Sequence, residues 1–387
     1  MATDPRGGGR GRRAGAPPFP FPALRGEDPL TPPLILGAGP AGCAAAIVLA
    51  RSGAHPLLVD RDAEAGDVLC GGFLSWATAE RLRGLGIDAE ALGAHAVERL
   101  LLFGSGRPVE IPLPRRAFGL SRKTLDSTLR RQATEAGAEP IVETIRQVNG
   151  HHVLGRQREW RPESLFLATG KHDVRGVTRP RPTDDPALGI RLRFRPSATL
   201  AKRLAGTIEL HLFDGGYAGV VLQEGASANL CLAVRKSLLA EAGGNPVDLL
   251  SNLAARHPHF ALRLEPGWRE GAIETIGAVP YGWSASTTDP GLFRLGDQAA
   301  VIPSLAGEGI DIALASGIAA AEAWLQGGPA AAPAFQRKFY ESVKDSMRWA
   351  GAAWSLAETP AAAHAGLAAA RLVPGLIAPL MAATRIA

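Results

Sequence analysis

The chain has 387 residues, 46% of them hydrophobic and 20% charged, enough for a sizeable core in two interleaved domains and ordinary for a globular protein. The net charge of +5 is concentrated at the start, where Arg6, Arg10, Arg12, Arg13 and Arg25 face Asp4 alone. The rest is close to neutral and gives no sign of the basic face that nucleic-acid binding needs.

Three scattered cysteines, Cys43, Cys70 and Cys231, form no C-x-x-C pair. A disulfide framework and a structural zinc site are therefore not expected, and a reducing, cytoplasmic setting fits. His257 and His259 flank a proline without partner cysteines, so no metal is expected. No apolar run is long enough to span a membrane. Residues 1–30 are rich in Gly, Pro and Arg and read as a disordered basic tail, without the apolar core of a secretory signal.

The organising stretch comes next. Leu34-Ile35-Leu36 reads as a buried strand, Gly37-Ala38-Gly39-Pro40-Ala41-Gly42 as a tight turn, and Cys43 to Arg51 as a helix of small apolar residues. Gly37 lets the chain turn, Gly39 lets backbone approach a pyrophosphate, and Gly42 lets helix and strand pack closely. The anion would rest on free amides at the helix start. A second strand, Pro56 to Val59, ends in Asp60 beside Arg61, where an acid can accept hydrogen bonds from a ribose. A lone G-x-G-x-x-G is weak evidence; strand, helix and distal acid together point to a dinucleotide site.

Cys70-Gly71-Gly72 reads as a loop in which backbone lies close to something flat, or simply as a turn. The helix opening at Arg122 and ending at Gly137 presents Leu125, Leu129 and Ala133 as one buried stripe. Arg122 sits where the helix dipole disfavours a cation. Its partner is expected to be a phosphate or an adenine edge, the alternative being a solvated side chain. Residues 140–161 read as a small meander, and Ser164 to Gly170 as a buried strand ending Ala168-Thr169-Gly170. From 175 to 275, alternating runs describe a largely antiparallel second sheet. The first domain then returns with Leu292–Leu295, Gly296-Asp297 and the Gly307-Glu308-Gly309-Ile310 turn before a helix of small residues. Glu308 reads as a capping carboxylate. Residues 331–387 read as further helices, with Leu372 to Ala383 a packing lid or an interfacial surface of the kind that makes peripheral membrane contact.

In this order and spacing, Gly37 to Gly42, Arg122 to Asp126, Ala168-Thr169-Gly170 and Gly296-Asp297 resemble the flavoproteins of the para-hydroxybenzoate hydroxylase fold. Cys70-Gly71-Gly72 and Gly307 to Ile310 look most like the geranylgeranyl reductase branch. The resemblance spans about residues 33–330. It implies an α/β architecture: a Rossmann-like FAD-binding domain (31–174 and 276–330) with a parallel sheet, an interleaved antiparallel-sheet substrate domain (175–275) and C-terminal helices (331–387). It implies FAD with adenosine at Asp60 and Arg61, and pyrophosphate at Gly37, Gly39, Pro40, Ala41 and Gly42. Arg122 would lie on the adenosine side, Thr169 and Gly170 at the returning strand, and the ribityl chain at Gly296 and Asp297. The ring would lie between Cys70–Gly72 and Gly307, Gly309 and Ile310. It also implies monooxygenation through a flavin C4a-hydroperoxide, or double-bond reduction through N5 hydride transfer, on an apolar or aromatic small molecule. Cys70 and Tyr217 are the catalytic candidates: Cys70 as a ring-facing thiol or a small hydrophobe, Tyr217 as a hydrogen-bond donor or a packing residue. NAD(P)H would visit only transiently, since no second fingerprint exists.

The chain departs from that branch at Val68, where a lysine is usual, and at Tyr217-Ala218-Gly219-Val220-Val221-Leu222, which keeps only the tyrosine of Tyr-x-Trp-x-Phe-Pro. The halogenase Trp-x-Trp-x-Ile-Pro signature is absent. An NAD-dependent dehydrogenase and a non-catalytic binding module are the competing readings, and no obligate protein partner is evident.

Overall fold

A computed structural model describes residues 32–104, 106–180, 184–372 and 377–386; the tail expected over residues 1–30 lies outside them. Five parallel strands form the first sheet, in the order Leu292–Arg294, Leu165–Leu167, Leu34–Leu36, Leu57–Asp60 and Glu139–Val142. Side chains alternate across it, as the period of a strand requires. Ile35, Leu58, Phe166 and Phe293 face the main core, while Leu34, Leu36, Val59, Leu165 and Leu167 face the opposite way. That second face is covered by the three-stranded meander of Ile145–Asn149, His152–Gly155 and Glu159–Trp160, through Val148 and Val153.

Against the main face lie the helices Pro40–Arg51, Arg122–Ala136 and Gly309–Gly327. Cys43 to Leu49 are fully buried, and the small side chains of Cys43 to Ala46 let the helix lie close to its neighbours. A Cβ at Gly317 would come within 2.3 Å of the Ala41 carbonyl oxygen, so the two glycine-led helices touch backbone to backbone.

The second sheet has eight strands, in the order Ile273–Val279, Ala187–Phe194, Ser227–Arg235, Gly216–Gln223, Gly206–Phe213, His95–Phe103, Val109–Gly119 and Phe73–Leu74. This corrects the expectation that it comes from residues 175–275 alone. Three strands arrive from before residue 120, and Gly206–Phe213 runs parallel to His95–Phe103 inside an otherwise antiparallel sheet. A pairing between segments so distant has no local signature. One face carries the helices Ala198–Leu204 and Pro246–Arg256 over Val220, Leu230 and Leu232. The other turns Ile208, Leu210, Leu212, Tyr217 and Gly219 toward a large cavity. The helices Ala332–Glu358, Pro360–Leu372 and Ile377–Ala383 close over that face. Among the described residues, no helix is long and apolar enough to cross a membrane.

Candidate functional site

The cavity runs from the glycine turn of the first sheet, past the second sheet, to the C-terminal helices, with a volume of about 1090 Å³. Ligand pockets usually span about 300–1,000 Å³. There is room for a cofactor and a second molecule. Every expected cofactor residue lines it except Gly42.

At the turn, Gly37 has φ 105°, and its amide donates to the Val59 carbonyl at 2.7 Å. A Cβ there would meet the Ala168 oxygen at 2.4 Å. At Gly42 a Cβ would lie 1.9 Å from the Gly37 oxygen, so this glycine serves packing behind the cavity and not its wall. At Gly39 the nearest atom to an added Cβ is Arg122 Nη2, 3.7 Å away, which leaves an open cradle. No side chain caps the helix start at Gly39, so its first amides are free for an anion.

Asp60 faces the cavity but also holds the turn. Its Oδ2 accepts from the Ala38 amide at 2.8 Å and pairs with Arg130 at 3.2 Å. Arg130 in turn donates to the Ala38 carbonyl at 3.0 Å. Arg61, beside it, is exposed and paired with Asp62. Arg122 is neither solvated nor in need of an outside partner. One turn along its own helix, Asp126 accepts from Nε at 2.8 Å and from Nη2 at 2.6 Å. Burial favours loss of its proton, and the Asp126 carboxylate outweighs that and keeps the guanidinium charged.

Thr169 turns its hydroxyl to the His172 carbonyl at 2.7 Å, and Gly170 takes φ 60° with open space around it. At the returning strand, buried Arg179 grips the Asp297 carbonyl at 2.8 Å, the Lys171 carbonyl at 2.9 Å and the Asp173 carboxylate at 2.7 Å. The backbone of Asp297 is fixed, and its carboxylate has no hydrogen-bond partner among the described residues while lining the cavity. Cys70 and Gly71 are held from the second sheet: Asn229 Nδ2 donates to both carbonyls, at 3.1 and 2.8 Å. Arg191 and Arg193 clamp Asp67 just before them, at 3.1 and 2.6 Å.

The start of helix Gly309–Gly327 forms the opposite wall, again without a side-chain cap. Glu308, expected to cap it, does not. It is fully buried, accepts from Ser75 Oγ at 3.2 Å and forms an ion pair with Arg385.

Three further residues gather between this wall and the second sheet. Tyr217 and Tyr281 each donate to Ser304 Oγ at 2.8 Å, and both rings pack on Trp354 with centroids 5.6 Å away. Tyr217 thus does both things the sequence allowed it. Burial raises the pKa of both phenols, so they stay protonated around neutrality. Cys231, also on the cavity wall, is pushed up to about 12 by burial. Tyr281, Ser304, Cys231 and Arg385 carried no motif in the sequence. Beyond the tyrosines the wall is hydrocarbon, with Leu100, Leu102 and Leu113 from strands facing Leu356, Leu367 and Met381 from helices.

Two uncapped helix starts, an open glycine cradle and a free carboxylate fit an extended dinucleotide. The comparisons agree. Residues 31–163 match the FAD binding domain family. A menaquinone reductase of Mycolicibacterium smegmatis is 27% identical over 316 residues, covering 76% of each chain. A digeranylgeranylglycerophospholipid reductase of Methanosarcina mazei is 27% identical over 320 residues, covering 75% of this chain and 74% of its own. Among solved structures, PqsL of Pseudomonas aeruginosa superposes with a TM-score of 0.68 at 17% identity, over 86% of this chain and 97% of its own. A geranylgeranyl bacteriochlorophyll reductase-like protein of Thermoplasma acidophilum does so with a TM-score of 0.64 at 19% identity, over 83% and 86%. Residues 31–163 thus form an FAD binding domain with FAD as its cofactor, over about three quarters of its length the chain is similar to reductases, and it shares its fold with solved flavin enzymes.

Proposed function

We propose that the protein reduces a carbon–carbon double bond in a long apolar chain of isoprenoid type. The observation that carries this reading is the apolar share of the cavity wall, to which Leu100, Leu102, Leu113, Leu356, Leu367 and Met381 contribute beside Tyr217 and Ser304. A compact aromatic substrate would leave most of that surface bare, whereas a flexible prenyl chain fills it at about 25 cal/mol per Å² of apolar area buried. The relatives from Mycolicibacterium smegmatis and Methanosarcina mazei are reductases, by name of a menaquinone and of a digeranylgeranyl lipid, both molecules with such chains.

Within this reading Asp60 would lie at the adenosine end, and the amides of Gly39 and Ala41 would take the pyrophosphate, Pro40 between them having no N–H. Asp297 accepts from a ribityl hydroxyl, and the ring sits between Cys70–Gly72 and Gly307–Ile310. Bound FAD supplies the hydride chemistry. The protein's part is to exclude water, align the double bond and supply a proton. Two phenols donate to one serine, so the Ser304 hydroxyl hydrogen is left to point elsewhere. Ser304 lines the cavity. It can give that proton to the substrate carbon while taking one from Tyr217 or Tyr281.

Rapid mixing of the dithionite-reduced protein with prenyl alcohols of graded chain length, which carry no quinone to take the electrons, without oxygen, tests the proposal. Flavin reoxidation that speeds up with chain length supports it; reoxidation indifferent to the chain contradicts it.

A further inference from the structure

Arg385, in the segment after the helix Ile377–Ala383, reaches the cofactor cavity. Its carbonyl accepts from Ser346 Oγ at 2.7 Å, which pins the segment to the long helix Ala332–Glu358. Its guanidinium is largely buried, stacks 4.0 Å above the Trp76 ring and pairs with Glu308.

Four charged groups meet at this helix start. Asp311, in the first turn, pairs with Arg81 at 3.0 Å, and Glu308 with Arg385. Of the four, only Arg385 lines the cavity. Both carboxylates are fully buried behind the wall. The cavity is therefore met by the cation of one pair and by the uncapped amides of the helix, and both favour an anion. Burial lowers the Arg385 pKa to about 10, which leaves it cationic at neutral pH.

We propose that Arg385 is a cofactor-positioning residue that holds negative charge on the FAD ring in its two-electron-reduced state. Reduction then takes up two electrons and one proton, leaving one negative charge on the ring beside the guanidinium; without Arg385 a larger share of the rings takes up two electrons and two protons near neutrality. This rests on the ring lying against Gly307–Ile310, as placed above.

Dithionite titration against reference dyes, from mildly acidic to mildly alkaline pH, reads protons taken up per electron pair. Arg385→Met strands Glu308 as a buried charge, so Arg385→Met/Glu308→Gln, which removes both charges, is measured beside it. The wild type and Arg385→Lys are expected to take up one proton. Arg385→Met/Glu308→Gln is expected to take up measurably more than one near neutrality, the pH at which uptake passes from two protons to one rising by about one unit and the equilibrium constant for reduction on the alkaline side falling about tenfold. One proton in that double variant overturns the role of Arg385. Asp297→Ala, with FAD affinity as its readout, checks the placement separately. Unchanged affinity there removes the placement and the proposal with it. Lost affinity there, with unchanged proton uptake in the double variant, overturns the proposal alone.

Discussion

The Asp60 carboxylate accepts the Ala38 amide at 2.8 Å, so the acid that ends the second strand fastens the turn that follows the first. Its role toward an adenosine and its role in shaping the glycine loop reside in one side chain. Asp60→Asn keeps the size but has one acceptor oxygen where Asp60 uses two, so an NH2 must face either the Ala38 amide and Arg130 or the Asp62 amide. FAD affinity should fall about tenfold or more, a loss of about 1.5–3 kcal/mol for a charge-assisted hydrogen bond. Fluorescence titration of the apoprotein measures it.

Gly39 and Gly42 belong to one motif but do different work, and substitution separates them. Gly42→Ala drives a Cβ into the Gly37 oxygen and should cost about 1–3 kcal/mol or more of stability, as overpacking does. Gly39→Ala has space and should leave the melting temperature nearly unchanged while weakening FAD binding. Thermal melts of the apoproteins beside FAD titrations distinguish the two.

The turn from 37 to 42, the acids at 60 and 297 and the glycine-led helix at 309 were legible because each is a local signal: a strand, a backbone conformation, a helix start. What stayed hidden is what distance along the chain conceals. The strands before residue 120 join the second sheet through pairings that leave no local mark. Tyr217, Tyr281 and Ser304 meet only because three segments converge. Glu308 reads as a cap until Arg385, near the far end, claims it. Arg122 seemed to need an external anion, yet Asp126 at i+4 was in the sequence all along and is its partner.

The hydroxyl cluster should matter to turnover and not to cofactor binding. Ser304→Ala, or Tyr217→Phe with Tyr281→Phe, should lower kcat by about 10²–10⁴, the usual worth of a positioned proton donor. FAD affinity should be unchanged. Because burial raises both phenol pKa values, the wild-type rate should not fall as pH rises through neutrality toward mildly alkaline values. A pH–rate profile for each variant checks both statements.

Glu224 ties the second sheet to the helix Arg122–Ala136. It accepts from the Ser121 amide at 2.9 Å, the Thr124 hydroxyl at 2.7 Å and the Ser121 hydroxyl. Burial pushes its pKa up, but these donors outweigh burial and hold it below the ordinary carboxylate value. The folded pKa lies below the unfolded one, so its contribution to stability is complete above about pH 4.3 and is lost as pH falls through the folded value. Glu224→Gln should lower the melting temperature at pH 7 and flatten its decline below about pH 5. Melting curves across pH test this.

The mass of the product tests the central claim most directly. Protein reduced with dithionite, freed of excess reductant and given a geranylgeranyl lipid that carries no quinone, without oxygen, should yield a product heavier by two hydrogens, one equivalent per bound FAD. If no such product forms, and the same lipid instead gains an oxygen atom when air and a nicotinamide donor are supplied, the protein is a monooxygenase and the reductase account is wrong.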